Sequence, residues 1–381
     1  MNTEMNMQNN SYLLVDLAAL RCNARTILKS LTPGTALIPV LKDDAYGLGL
    51  VPVARTLCNF PEIHTLAVSH VSEGLALRKA GIDREILVMG GAVPFQLDAA
   101  VQADLTLACG HSGFLGEVST VADRLGKQAK VQIKIDTGLH RIGFEAHELE
   151  ALADEIRECA DRIRITGIFS HFSDFADAEL SEKEYALFLQ TLEVLEKNGV
   201  RVPMRHMACS ASVECRPRFD LDAVRCGRRL YMDKPGVPTG EIRELASWRA
   251  FITQVKERRK GDRLGYRGAV TLDRDSLIAT VGVGYGDGLN QDLFRVHGPV
   301  LVGGKRCRML ACCMDQCMVD VTGLAVHPGD EVTFFGYDAA GNLLSAQEVA
   351  ALVNHDEGCG LTSALSPRVA RVYIGGDVEA P

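Results

Sequence analysis

An apolar segment that ends in a lysine is the most chemically suggestive feature of the sequence. It reads Ala36-Leu-Ile-Pro-Val-Leu-Lys42-Asp-Asp-Ala-Tyr46-Gly-Leu-Gly49, so a short strand runs directly into Lys42 and then into a tyrosine-glycine turn. A lysine amine can act as a nucleophile toward a carbonyl group. If the strand belongs to a βα barrel, Lys42 lies at the rim where loops that follow the strands build active sites. Taken alone, a solvated lysine at a strand end is the simpler interpretation.

Further reactive side chains follow Lys42 along the chain, several of them directly after strand-like segments. They lie in the segments Lys134-Ile-Asp136-Thr-Gly138-Leu-His-Arg141, Ser170-His171-Phe172, His206-Met-Ala-Cys-Ser210, Val224-Arg225-Cys-Gly227-Arg228, Val283-Gly284-Tyr285-Gly-Asp287 and Cys313-Met314-Asp315-Gln316. The lysine segment closely resembles the cofactor-lysine signature of the alanine racemase family, in which the lysine forms a Schiff base with pyridoxal phosphate. The other segments resemble the family's motifs in the same order, from about residue 11 to the end of the chain.

The resemblance implies a reaction in which an amino acid loses its α-hydrogen from one face and regains a proton on the other. Pyridoxal phosphate would be the electron sink, with Lys42 and Tyr285 as the bases on opposite faces. His171 would hydrogen-bond both Tyr285 and Arg225 and favour the phenolate, because an unperturbed tyrosine has a pKa near ~10. Arg225 would face the pyridine nitrogen and, being always protonated, would keep that nitrogen uncharged.

The remaining roles implied by the resemblance concern binding. Tyr46, Ser210 and the backbone around Gly227 would hold the cofactor phosphate through hydroxyl and amide donors. Arg141 would bind the substrate carboxylate, assisted by the backbone amide of Met314.

Two interpretations stay open for Lys134, which precedes Arg141 by seven residues. In many relatives the matching lysine is carbamylated, and the carbamate would turn a like-charged neighbour of Arg141 into an anionic partner that orients it. Otherwise Lys134 is a lysine at a strand end that pairs with Asp136.

Three positions depart from the family pattern near the cofactor and the substrate. Arg228 stands where relatives commonly have an apolar residue and would lie at the phosphate, Ala311 replaces a common arginine, and Pro367 stands where some relatives place a phosphate-contacting tyrosine. The catalytic pair is unaffected, but substrate size is selected by such pocket residues. The resemblance makes alanine the leading substrate. Because of the three departures, serine or a larger amino acid is the alternative.

Two other classes of protein use this kind of barrel. A non-catalytic carrier of pyridoxal phosphate would generally lack the second domain and a counterpart of Tyr285. A decarboxylase or an aldolase would use a different residue in place of Tyr285 and would not need to keep Lys134 and Arg141. The presence of all these features favours a racemase.

The elements that must position these residues change character along the chain. Strand-like and helix-like segments alternate in the first two thirds, and about eight such units predict a (β/α)8 barrel of the TIM type. The predicted strands there are Ala36–Leu41, Thr65–Val68, Ile86–Met89, Leu105–Cys109, Val131–Ile135, Ile165–Phe169 and Met204–Ala208. After residue 240, short strands and Gly-rich turns predict a mostly β domain. We therefore expect a disordered tail at 1–10, a cofactor-binding barrel at 11–240 and a β domain at 241–381.

The composition of the chain argues against several classes of binding partner. The chain has 381 residues, of which 47% are apolar, and a net charge of −8, which argues against a nucleic-acid partner. No apolar stretch approaches the ~18 residues that span a membrane, and residues 1–10 lack the features of a signal peptide. The twelve cysteines show no zinc-site spacing, so we expect no metal and a cytoplasmic location. The resemblance adds a head-to-tail homodimer in which Tyr285 enters the partner's barrel, and a small amino-acid substrate.

Overall fold

The described chain begins with a strand that runs into a capped helix. The computed structural model describes residues 9–213, 217–232, 242–353 and 358–376, so the predicted boundary at 240 and 241 and most of the predicted tail at 1–10 lie outside the described residues. Strand β1 comprises Ser11–Asp16 and helix α1 comprises Leu17–Ser30. Oδ1 of Asp16 accepts hydrogen bonds from the amides of Ala18 and Ala19, so the Asp16 side chain caps the start of α1.

Eight short parallel strands form a barrel. They are β2 (Ala36–Pro39), β3 (Thr65–Val68), β4 (Glu85–Val88), β5 (Thr106–Cys109), β6 (Ala129–Lys134), β7 (Ile163–Phe169), β8 (Arg205–His206) and β9 (Ala223–Cys226). Strands β3 to β8 form one parallel sheet, and β2 pairs with β9. Single bridges between Val40 and Ala67 and between Cys209 and Arg225 join the two sheets and close the ring.

Helical segments follow the barrel strands, and the longer ones, α3 to α8, cover the outer faces of the strands, whereas α2 is a short turn with left-handed backbone. They are α2 (Lys42–Tyr46), α3 (Leu50–Cys58), α4 (Val71–Lys79), α5 (Pro94–Gln102), α6 (Phe114–Leu125), α7 (Leu149–Glu158), α8 (Ala178–Lys197) and α9 (Arg228–Tyr231). Apolar residues at three- and four-residue steps face the barrel, as Leu50, Val53 and Leu57 of α3 do. In the described ranges, no helix combines the length and the apolar character that a membrane crossing requires.

The second half of the chain is mostly antiparallel β structure. Its strands are β10 (Ala246–Arg258), β11 (Arg263–Leu264), β12 (Val270–Thr271), β13 (Ser276–Val281), β14 (Pro299–Val302), β15 (Lys305–Cys312), β16 (Cys317–Asp320), β17 (Glu331–Tyr337), β18 (Leu343–Leu344) and β19 (Ala370–Ile374), with helices α10 (Asp292–Arg295), α11 (Ala346–Ala351) and α12 (Cys359–Ser363). The long strand β10 pairs with both β13 and β17, so the strands between them curl into a closed β structure. The predicted fold class, a (β/α)8 barrel followed by a mostly β domain, is confirmed.

Strand β1 differs from the expectation that the barrel begins at residue 11. It pairs antiparallel with β10 and parallel with β19, so residues 11–16 belong to the sheet of the β domain. The apolar sequence of a strand predicts that it is buried but does not predict which sheet it joins. The partners of β1 are more than 200 residues away in sequence, so the local sequence does not identify them. The first strand therefore ties the second domain to α1 of the barrel.

The end of the chain packs against the turn that follows Lys42. Nε of Arg371 donates to the Gly47 carbonyl at 3.0 Å, and its other nitrogens donate to carbonyls of Leu365, Ser366 and Val369. The hydroxyl of Tyr373 donates to the Leu48 carbonyl at 3.1 Å. The β domain thus holds the lysine turn of the barrel from outside.

Replacing Arg371 by methionine should destabilise the fold, because the variant leaves partly buried carbonyl groups without their donor. The loss of charged hydrogen bonds predicts a decrease of about 2–4 kcal/mol in the free energy of unfolding, measured by urea denaturation. The matched control is Arg157→Met on the exposed face of α7, which should change stability by less than about 0.5 kcal/mol. Equal denaturation midpoints for both variants would contradict this account.

Candidate active site

The barrel strands end around a cavity of about 550 Å³. The predicted site residues of the barrel all line it, namely Lys42, Tyr46, Lys134, Arg141, His171, Ser210, Arg225 and Gly227. Arg228 also lines the cavity, whereas the predicted residues of the β domain, Tyr285 and Met314, do not line it in the same chain. The site lies at the carboxyl-terminal ends of the strands, where barrel enzymes bind their ligands.

Lys42 begins a turn with left-handed backbone conformation. The φ angles of Asp43, Asp44 and Ala45 are each 54°, and that of Tyr46 is 57°. Left-handed backbone costs about 1–2 kcal/mol for each residue that is not glycine, so the surroundings must stabilise it. The amide of Asp43 donates to Glu73 Oε1 at 2.7 Å, and Asp44 Oδ1 accepts from the amide of Leu50 at 2.7 Å. The turn directs Lys42 into the cavity, with its Nζ 5.7 Å from the centre of the Tyr46 ring.

Arg225 is a buried cation that is bound by neutral groups. Its guanidinium donates to the carbonyls of Ser170, His206 and Met207 at 2.6 to 3.2 Å, and lies 2.5 Å from Nδ1 of His206 and 3.2 Å from Nδ1 of His171. Burial lowers the pKa of Arg225 to about 10, so the side chain is still protonated at neutral pH. A protonated guanidinium has donors and no acceptor, so it cannot receive a proton from a ligand.

His206 supports Arg225 but was not singled out from the sequence, although it lies in a quoted motif. Its Nδ1 faces the donors of Arg225, and its Nε2 lies 2.8 Å from Gln132 Oε1. Burial lowers the pKa of His206 well below its ordinary value, and the charges of Arg225 and Lys134 lower it further. The ring is therefore neutral, with Nδ1 accepting from Arg225 and Nε2–H donating to Gln132. The strand-end position of His206 was the signal that could have identified it.

His171 is the second imidazole that contacts Arg225. Burial, together with the charges of Arg225 and Lys134, lowers the pKa of His171 to about 3. Because Nδ1 accepts from the guanidinium, the ring proton is on Nε2, which makes this nitrogen a hydrogen-bond donor. The predicted bond from His171 to Arg225 is thus formed, while no hydrogen bond joins His171 to Tyr285 within the described part of one chain.

Lys134 is 4% exposed and lies among positive charges. Burial, together with the charges of Arg225 and Arg141 and against an opposing effect of Asp136, lowers the pKa of Lys134 to about 7. Its Nζ donates to the Ile135 carbonyl at 2.8 Å. One of the two interpretations of Lys134 was an ion pair with Asp136. The described residues form no such ion pair. About half of the amine is therefore uncharged near pH 7.

Asp136 instead organises the loop that carries Arg141. Its carboxylate accepts hydrogen bonds from the amides of Gly138, His140 and Arg141 at 3.0 to 3.1 Å. Burial opposes ionisation of Asp136, but these amides and the charge of Lys134 outweigh it and lower the pKa of the carboxyl. The loop presents the exposed Arg141 guanidinium at the mouth of the cavity, where it can bind a carboxylate.

Ser210, Gly227 and Tyr46 form a cup on another wall of the cavity. Ser210 Oγ accepts from the Gly227 amide at 3.1 Å, so the serine proton is available to another acceptor. A β-carbon at Gly227 would overlap the hydroxyl of Tyr46, so only glycine lets these groups converge. Arg228 follows immediately and is half-buried. Hydroxyl and amide donors beside a guanidinium suit an anion such as phosphate.

Tyr285 and Met314 form a second cluster on the β domain. The amide of Tyr285 donates to the Cys313 carbonyl at 3.1 Å, and the amide of Gly286 donates to the Met314 carbonyl at 2.8 Å. A β-carbon at Gly284 would overlap the Cys313 carbonyl, so glycine lets the two loops touch. Asp287 Oδ2 accepts from the Gly284 amide at 2.9 Å and holds the turn. Both residues lie on the surface of the β domain, with Tyr285 38% and Met314 57% exposed.

The three departures from the family pattern have different surroundings. Arg228 lines the cavity. Ala311 is buried in a small apolar cluster with Leu264 and Leu310 on the β domain, where a charged side chain would be costly. Pro367 is exposed. Of the three, Arg228 is the one with direct access to the barrel cavity of its own chain.

The fold and the site together define a class of two-domain barrel enzymes in which a lysine beside a cationic cavity can bind a carbonyl ligand that carries anionic groups. Residues 15–235 match the model of the alanine racemase N-terminal domain, and residues 245–373 match that of the alanine racemase C-terminal domain. The chain belongs to the alanine racemase family.

Similarity to individual proteins extends over nearly the whole chain. Alanine racemase from Desulforamulus reducens is 36% identical, covering 95% of this chain and 98% of its own. Alanine racemase 2 from Caldanaerobacter subterraneus is 34% identical, covering 94% of each. The crystal structure of alanine racemase from Bacillus anthracis with bound L-Ala-P is similar with a TM-score of 0.90 at 29% identity, covering 98% of this chain and 97% of that chain. The predicted family and the predicted racemase function are confirmed.

Lys134 should be carbamylated in a pH-dependent way, because only the uncharged amine reacts with carbon dioxide. With a pKa of about 7, the reactive form increases between pH about 6 and about 8. In ¹³C-labelled bicarbonate, a carbamate carbon signal should grow over this range in the wild-type protein. The signal should be absent in Lys134→Gln and retained in Lys127→Gln, which changes a surface lysine. A signal that persists in Lys134→Gln would assign the carbamate elsewhere.

Proposed function

We propose that this protein interconverts L- and D-alanine with pyridoxal phosphate as its cofactor. The observation that carries the proposal is the convergence on one cavity of a lysine, a buried arginine and the Ser210–Gly227–Tyr46 cup. These groups match the aldehyde, the ring nitrogen and the phosphate of the cofactor, and the cup has no room for a larger residue at Gly227. When bound, the cofactor supplies an electron sink for the charge left by removal of the α-proton.

The barrel residues divide the work of binding among them. Lys42 would hold the cofactor and, once released by substrate, act as the base on one face. Arg225 would face the ring nitrogen. At neutral pH its guanidinium keeps its proton and has no acceptor, so it would leave the ring nitrogen unprotonated. Arg141 would bind the substrate carboxylate. Lys134, as a carbamate, would become an anionic partner for Arg141.

Tyr285 would be the base on the opposite face, and His171 would prepare it. The Nε2–H of His171 is a donor, and a phenolate is a strong acceptor. A hydrogen bond donated to a phenolate stabilises the charged form, which is the form that acts as a base. This arrangement would bring Tyr285 to His171, two residues that are not hydrogen-bonded to each other within the described part of one chain.

A head-to-tail homodimer would complete the site. Tyr285 and Met314 are exposed on the β domain and do not line the cavity of their own chain. Their two loops are held rigidly by Asp287 and by backbone bonds, so they are suited to insertion into a partner. Each active site would then consist of one barrel, with Lys42, and the partner's loops, with Tyr285 and the Met314 amide.

Mixed dimers test the shared site directly. Lys42→Ala and Tyr285→Phe homodimers should each be inactive, whereas a heterodimer purified with two different affinity tags keeps one intact site of its two. We expect the heterodimer to recover about half of the wild-type activity per dimer. A heterodimer as inactive as the parent homodimers would contradict the shared site.

Substrate preference is tested with a panel of amino acids in heavy water. The purified protein with pyridoxal phosphate is incubated with L-alanine, L-serine and larger L-amino acids, and inversion and α-deuteration are followed by chiral chromatography and mass spectrometry. We expect inversion of alanine to be fastest. Faster inversion of serine or a larger amino acid would move the assignment to that substrate. Bound cofactor without inversion or deuteration would contradict a racemase and favour a carrier of the cofactor.

A further inference from the structure

Arg228 lies beside the anion cup and lines the same cavity as Tyr46, Ser210 and Gly227. We propose that Arg228 binds the phosphate group of the cofactor and sets the affinity of the protein for the phosphorylated form. This inference rests on the proposed function, because the phosphate belongs to pyridoxal phosphate. It concerns a residue in which this chain differs from the pattern of its family.

The position of Arg228 follows from the backbone of the cup. It comes directly after Gly227, whose amide donates to Ser210 Oγ at 3.1 Å, and the Arg229 amide approaches the same oxygen at 3.4 Å. The side chain of Arg228 is half-buried and lines the cavity together with Tyr46 and Ser210. Arg228 is therefore part of the same cavity wall as the cup.

The positive charge of Arg228 influences the ionisation of two neighbouring groups. Burial raises the pKa of Tyr46 well above its ordinary value, and the positive charge of Arg228 opposes the rise. Burial also raises the pKa of the Cys359 thiol, which Arg228 and Lys42 oppose. Arg228 thus acts on the Tyr46 hydroxyl from the barrel side and on α12 of the β domain.

The cavity that Arg228 lines carries positive charge. The described residues that line it include no aspartate or glutamate. Arg225 donates to His206 and to backbone carbonyls, Arg141 is exposed at the mouth, and Lys42 would hold the cofactor through its aldehyde. The hydroxyl and amide groups of the cup are neutral, while a phosphate monoester carries about −1.5 to −2 charges at pH 7. Arg228 directly follows the glycine of the cup, and a guanidinium matches phosphate geometry.

Binding of two ligands that differ only in the phosphate tests the inference. Apoenzyme is titrated with pyridoxal phosphate and with pyridoxal, and the affinity is measured from the change in visible absorbance. Arg228→Met should weaken binding of pyridoxal phosphate by about 10- to 100-fold and change binding of pyridoxal by less than about 2-fold. Arg228→Lys should fall between, because it keeps the charge but loses the paired donors.

Controls separate this inference from the proposed function. Arg157→Met on α7 should bind both ligands like the wild type, and circular dichroism checks the fold of each variant. If Arg228→Met does not fold, Arg228→Gln takes its place. Equal affinity of wild type and variant for pyridoxal phosphate, or an equal loss for both ligands, overturns the role of Arg228 alone. A wild-type protein that binds neither ligand overturns the proposed function and the inference with it.

Discussion

The burial of the Arg225 guanidinium among neutral acceptors is the interaction on which the site depends. A buried cation is stable only when its donors are satisfied, and here the acceptors come from the ends of β7 and β8. Their positions fix the ends of neighbouring strands. Burial is the main reason that His206 and His171 are neutral and that the pKa of Lys134 is low, and the charge of Arg225 acts in the same direction. One arginine therefore fixes the geometry of this part of the barrel and contributes to its protonation states.

The lysine turn depends on a second constraint, which is the packing of the β domain against the barrel. Four consecutive residues adopt left-handed backbone after Lys42, a conformation that the local sequence does not favour by itself. Arg371 and Tyr373 bind the carbonyls of Gly47 and Leu48 from the last strand. Strand β1 joins the same sheet and leads into α1. The second domain is thus part of the scaffold of the barrel site as well as the support of Tyr285.

The groups of the proposed active site are divided between the barrel cavity and the surface of the β domain. The barrel holds the cations that suit an anionic cofactor, whereas the β domain presents an exposed tyrosine on a rigid turn. Rigid backbone loops are suited to holding a proton-transfer group within hydrogen-bonding reach, because small misplacements are costly in catalysis. Arg228, on the barrel side, adds charge where the cup is otherwise neutral. The two surfaces are complementary in function, which is the physical basis for the proposed dimer.

The sequence by itself determined the alternation of strands and helices, the change to β structure after residue 240, and the identity of the reactive side chains. These features depend on periodicity and on residue type, which are local. Only the tertiary structure decided that β1 joins the β domain, that His206 and Gln132 support Arg225, that Asp136 binds backbone amides rather than Lys134, and that Ala311 lies in an apolar cluster while Arg228 lines the cavity. These outcomes depend on partners far apart in the chain. Burial and charge then act on groups that are neighbours only after folding, as the pKa of Lys134 illustrates.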